Sequence, residues 1–274
     1  MSKIPVGLQL YSLRNEAQAD FFGTLKLVKE MGYDGVEFAG LFGNSPVEIK
    51  KYADSIGLSL VSAHIPFADL VNNTEGVIDE CLALGLKYAV VPYMTEEYRP
   101  GGEKFFEAVE LIGKLGESFK AKGITLLYHN HDFEFKKVNG EYGLDYMYRT
   151  VSEELLKTEL DTCWVRVAGE DPAEYINKYS GRAPIVHLKD YFKSSDKDSG
   201  SMYELIGIKT EKKETSTFEF RSCGNGCQNI EALIKASENA GTKWLIVEQD
   251  KPTPGKTPSE CVKSSIDYIR EIYK

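Results

Sequence analysis

Residues 183–191 read APIVHLKDY, a short apolar run that ends on an imidazole and an ammonium. On a strand, His187 and Lys189 share one face while Leu188 takes the other. Three further runs have the same form: ITLLYHNHDFEF (124–135), LKTELDTCW (156–164) and TKWLIVEQD (242–250), with Glu134, Asp161 and Glu248 at their C-terminal ends. A barrel of parallel strands gathers such ends around one axis, and two glutamates, an aspartate and an imidazole suit a divalent cation of intermediate hardness. The four runs together predict one convergent metal site.

Working outward, VGLQLYS from Val6, DGVEFAG from Asp34, LSLVSAHIP from Leu58 and YAVVPYM from Tyr88 complete a set of eight β-rich runs. Amphipathic stretches such as KFFEAVELIGKLGESFKAKG and NIEALIKASENAG separate them, and strand alternating with helix predicts a parallel sheet. Gly32, Gly57, Gly85, Gly123, Gly181 and Gly241 each close a helical stretch just before a strand, the place for a left-handed cap. Ser45-Pro46-Val47-Glu48, Asp171-Pro172-Ala173-Glu174 and Thr257-Pro258-Ser259-Glu260 read as helix starts of the capping-box kind. No Gly-x-Gly-x-x-Gly follows the first run, which lowers a dinucleotide-binding open sheet. The fold class expected is a (β/α)₈ TIM barrel, one domain over 1–274, with an inserted polar loop at about 192–220 over the mouth.

Composition bounds the function. A formal charge of −9 and a pI near 5.2 give no basis for holding phosphate backbones, so no nucleic acid partner is expected. No run approaches the ~18 apolar residues of a membrane span, and the N-terminus lacks a signal-peptide core, so no membrane partner and a cytoplasmic location are expected. Five scattered cysteines favour free thiols, and Cys223-Gly-Asn-Gly-Cys227 reads as a glycine turn before a zinc site.

All four histidines fall near strand C-termini: His64 on the third strand, His129 and His131 on the fifth, His187 on the seventh. Active sites of such barrels are built there. Strand five holds a conflict, because His129 and His131 share a face and simple alternation sends Glu134 to the other unless the chain turns. Either His129 or Glu134 is the ligand; Glu134 is preferred, with His129 and His131 lining the pocket. Lys189 either meets a substrate oxygen or pairs with Asp161 or Glu248. Asp132, Asp190 and Asp250 are capping or supporting candidates. Among many rim aromatics, Trp164 is the expected pocket wall, and His64, His129, Trp164 and Glu37 are the expected substrate contacts.

The order of QLYSLR, GYDGVEFAG, SAHIPF, YHNHDFEF, ELDTCW, VHLKDY and IVEQD resembles the xylose isomerase-like barrel superfamily, in its sugar phosphate isomerase/epimerase branch, over essentially the whole chain. The resemblance implies one divalent metal (Mn²⁺, Mg²⁺ or Co²⁺) on Glu134, Asp161, His187 and Glu248, and a small carbohydrate or cyclitol substrate, with a homo-oligomer allowed. His-x-His on strand five and His-x-Lys-Asp on strand seven are closer to inosose dehydratase-like members than to ketose 3-epimerases. The implied activity is sugar isomerisation or epimerisation by proton abstraction beside a metal-polarised carbonyl, with Glu134, Glu248, Lys189 and His131 catalytic. An inosose dehydratase-type lyase is the alternative, and a non-catalytic sugar-binding barrel is the alternative of another class.

Overall fold

The computed structural model describes residues 3–193 and 218–274. Eight short strands, Val6–Gln9, Gly35–Phe38, Ser59–His64, Tyr88–Val91, Thr125–His129, Lys157–Asp161, Ile185–Leu188 and Trp244–Val247, close into a barrel in which the eighth pairs with the first. Every pairing in it is parallel. Each strand is covered by helices outside and by side chains inside, which is why the sequence shows continuous apolar runs.

The interior is layered. Val61, Val90, Leu127, Ile185 and Ile246 form a separate apolar cluster inside the barrel. Two residues further along the same strands, on the same face, stand His129, His187 and Glu248. Register sets the neighbours of this polar layer: Glu37 opposite Ser62, His129 opposite Glu159, and Asp161 opposite His187. At Gly7 a Cβ would stand 2.6 Å from the Ile246 Cδ1 and 3.3 Å from the Gly35 carbonyl oxygen, so a side chain there would have to displace Ile246.

Around the barrel, helices such as Phe105–Ala121, Ile230–Ala240 and Pro258–Ile272 bury one face each in the main core. All six predicted closing glycines have positive φ, from 67° to 102°. Of the three predicted capping boxes only Thr257 with Glu260 is complete; Asp171 caps Ala173 and Glu174, while the Ser45 side chain makes no cap bond. Among the described residues no helix is long and apolar enough to cross a membrane.

The expected excursion from Phe192 to Phe220 has β-paired ends, Asp190–Lys193 lying antiparallel to Phe218–Arg221. Its interior, residues 194–217, lies outside the described residues. Tyr191, Phe218 and Phe220 pack with Cys163 and Trp164 in a small apolar cluster. The carboxylate of Asp190 accepts the backbone N–H groups of Tyr191, Gly224, Gly226 and Gln228, which ties the following turn to the hairpin. That turn holds Cys223 and Cys227, and no candidate metal group among the described residues includes a cysteine.

Candidate active site

Asp161 ends the sixth strand and begins the helix Thr162–Val167, and its two oxygens divide the work. Oδ1 accepts the N–H groups of Cys163 and Trp164 at 2.8 and 3.0 Å, a helix cap. Oδ2 is buried and faces the barrel axis, 3.7 Å from His129 Nε2 and 3.2 Å from the Lys189 ammonium. His187, fully buried, places Nδ1 3.1 Å from Glu248 Oε2. Donor atoms of His129, Asp161, His187 and Glu248 all lie within 4.8 Å of one another. Two imidazoles and two carboxylates converging on one axis are a donor set that fits a divalent cation. His129, Asp161, His187 and Glu248 would hold it.

Glu134 is placed differently from the expectation. The fifth strand stops at His129, and the 3₁₀ turn Phe133–Phe135 folds the glutamate back against the strand end. There Oε1 accepts the Tyr128 hydroxyl and Oε2 the His131 backbone N–H, both at 2.7 Å. Burial pushes the Glu134 carboxyl up to about 8 despite these two donors. The fifth-strand group that does reach Asp161, His187 and Glu248 is His129. Trp164 also departs from expectation: it is fully buried, 5.4 Å from the His131 ring and 5.5 Å from Lys189 Nζ, backing the site from beneath the hairpin.

A second ring of ionisable groups lies deeper. Glu159, two residues before Asp161 and on the same face, puts Oε1 2.6 Å from His64 Nε2 and 3.1 Å from both His129 Nδ1 and His187 Nε2. Glu37, the expected substrate contact, is fully buried here; its Oε1 takes the Gln9 amide and faces His187 Nε2, both at 2.8 Å, and its Oε2 takes the Ser62 hydroxyl. Burial opposes ionisation of Glu37, but His64 and His187 override it and hold the carboxyl well below its usual range. His64 meets the same opposition, and Glu37 with Glu159 lifts it to about 10.

Lys189 is 1% exposed, and its ammonium lies 3.2 Å from Asp161, 2.8 Å from Glu248 and 3.0 Å from Asp250. Burial works against its charge, yet the three carboxylates keep it protonated well above the ordinary lysine value. A cavity of about 440 Å³ opens over these groups, lined among others by His64, His129, His131, Lys189, Glu248 and Asp250. A larger groove of about 870 Å³, lined by Glu97, Arg99 and Lys136 among others, lies outside the clustered histidines. The cavity suits a small polyol, with Tyr11 and Tyr93 as aromatic walls.

Sequence reasoning missed Glu159 and gave Asp250 only a supporting place. The alternation in Lys157-Thr158-Glu159-Leu160-Asp161 was the signal for Glu159, since it shares the face of Asp161. Asp250 follows Glu248 by the same spacing and joins it at Lys189 and at the cavity wall.

Residues 25–272 match the model of the xylose isomerase-like TIM barrel. An inosose dehydratase of Clostridium beijerinckii is 24% identical over 268 residues, spanning 88% of this chain and 85% of that protein. A sugar phosphate isomerase/epimerase from Parabacteroides distasonis superposes with a TM-score of 0.77 at 22% identity, covering 98% of this chain and 94% of that one. The IolI protein, solved with a bound zinc atom, superposes with a TM-score of 0.69 at 15% identity and covers 98% of both chains. With a closed eight-stranded parallel barrel and a match over nearly its full length, the chain belongs to the xylose isomerase-like TIM barrel family.

Proposed function

We propose that this protein removes the proton next to the carbonyl of a keto-sugar or keto-cyclitol and expels the β-hydroxyl, a dehydratase-type lyase reaction that needs one divalent cation. The observation that carries the reading is the one-sided placement of a base and a cationic group: Glu248, itself a candidate ligand, and Lys189, 2.8 Å apart, both line the cavity. Such a cation, when bound, polarises a substrate carbonyl and lowers the cost of charge on the adjacent carbon.

The chain's own groups supply the rest. Glu248 lines the cavity as a carboxylate and takes the α-proton. Lys189, permanently charged, stabilises the resulting enediolate oxygen. The β-hydroxyl leaves as water once protonated, and Asp250, whose carboxyl burial pushes up to about 7, lies 3.0 Å from the ammonium on the cavity wall and in its protonated form delivers that proton. His131, held neutral by burial and by Lys189, offers a hydrogen-bonding edge for a substrate hydroxyl.

Sugar isomerisation is the second reading, supported by the same Glu248, which can return the proton to the neighbouring carbon on the same face. Two-base epimerisation has less support, because Glu134 is turned onto Tyr128 and away from the cavity. The test is to incubate the metal-loaded protein with a panel of keto-sugars and inososes in D₂O and follow products by NMR. Loss of water from a panel member supports the lyase; deuterium in an isomeric sugar moves the assignment to an isomerase. If metal and sugar both bind and neither exchange nor product forms, the protein is a sugar-binding barrel.

A further inference from the structure

One oxygen atom serves both candidate imidazole ligands. Glu159 Oε1 sits 3.1 Å from His129 Nδ1 and 3.1 Å from His187 Nε2, and also meets His64 Nε2. The two rings present opposite atoms to it. Their remaining nitrogens point the other way: His129 Nε2 toward Asp161 Oδ2 at 3.7 Å, His187 Nδ1 toward Glu248 Oε2 at 3.1 Å. A neutral imidazole carries one N–H and one lone pair, so donating the N–H inward leaves the lone pair outward.

We infer that Glu159 is a positioning residue that fixes His129 and His187 in opposite tautomers, Nδ1–H and Nε2–H, and thereby prepares both lone pairs for one cation. The inference rests on the proposed metal site. It explains why a carboxylate, fully buried directly behind the cavity-lining His64 and His129, stands where an apolar residue would cost less. It also gives the inner ring a single task. At His187 Nε2 Glu159 acts together with Glu37, 2.8 Å away, whereas at His129 Nδ1 it acts without Glu37.

His64, His129, Glu159 and His187 also offer donors within 4.8 Å of one another, so Glu159 as a ligand of a second cation is the rival outcome. Zinc titration against a chromophoric chelator, with long-range ¹H–¹⁵N spectra of histidine-labelled, Zn²⁺-loaded protein, separates the two. The expected result is one equivalent of Zn²⁺ in the wild type, with His129 protonated at Nδ1 and His187 at Nε2. Glu159→Gln should still bind one equivalent, about 10–100-fold more weakly, with mixed tautomers on His129, while Glu37 keeps the His187 Nε2–H and that ring shifts less. Glu37→Gln should alter the His187 signals and leave those of His129 in place.

Two equivalents in the wild type falling to one in Glu159→Gln would overturn the inference, as would wild-type affinity and tautomers in that variant. Should Glu159→Gln not fold, the wild-type spectrum decides: an outward-facing N–H on either loaded ring overturns the assignment. A wild type that binds no Zn²⁺ removes the metal-site reading itself, before Glu159 is changed.

Discussion

Tyr128 and Glu134 are joined by a 2.7 Å hydrogen bond from hydroxyl to carboxylate, and with the His131 N–H on the other oxygen this holds the glutamate against its own strand. The consequence is a test of which fifth-strand residue meets the cation. Glu134→Gln should leave divalent-cation affinity within about threefold of wild type, whereas His129→Ala should lower it by about 10–100-fold, the range expected on losing a well-oriented contact. Calorimetric titration with Mn²⁺ reads both. The reverse ranking would return Glu134 to the ligand set.

The same buried carboxyl makes stability depend on pH with a definite sign. Burial raises Glu134 from an ordinary 4.5 to about 8, so between these values the folded chain keeps a proton that the unfolded chain has lost. Its stabilising contribution is therefore present at low pH and is lost as pH rises through that window, flattening above about 8. Denaturant unfolding of wild type and Glu134→Gln across pH 5–9 should show the wild type losing ground to the variant as pH rises. A constant difference would mean that Glu134 ionises normally.

Asp161 separates two roles by atom. Asp161→Asn keeps an oxygen for the Cys163 and Trp164 N–H groups but takes one carboxylate from Lys189, so cation affinity should fall at least tenfold while the helix cap survives. Asp161→Ala loses the cap as well, at about 0.5–2 kcal/mol. Melting curves in EDTA set beside Mn²⁺ titrations distinguish the variants, and equal stability of the two would contradict the cap.

Lys189 neutralises Asp161, Glu248 and Asp250 when no cation is present, and Lys189→Met leaves three buried carboxylates without their ammonium. Removing one partner of a buried charge cluster costs about 3–5 kcal/mol, so the metal-free variant should melt well below wild type. A bound cation takes over part of that charge, so Mn²⁺ should raise the melting temperature of the variant more than that of wild type, while turnover stays impaired. Equal metal-induced shifts would show that Lys189 and the cation do not share these carboxylates.

The barrel was legible because each strand is buried on both faces and ends on a polar rim, so Ile185–Leu188 and Trp244–Val247 stand out as short apolar runs between glycine and a charged residue. Asp161, His187 and Glu248 were legible for the same reason. Glu134 was misplaced because the path of the chain after His129 depends on a 3₁₀ turn held by Tyr128, and no periodicity announces a turn that leads a side chain backward. Trp164 was expected at the cavity because it follows a strand end; it lies in the first turn of a helix instead and packs against Phe218 and Phe220. Glu159 escaped because its partners are His64, 95 residues earlier, and His187 on the next strand, and only closure of the barrel brings them to one oxygen.

The apolar layer of Val61, Val90, Leu127, Ile185 and Ile246 beneath the ionisable groups has a kinetic consequence. Among the described residues it floors the cavity, so a molecule that enters past Tyr11 and Tyr93 has no path downward through the barrel. A molecule held on that floor competes directly with the next arrival for the same space.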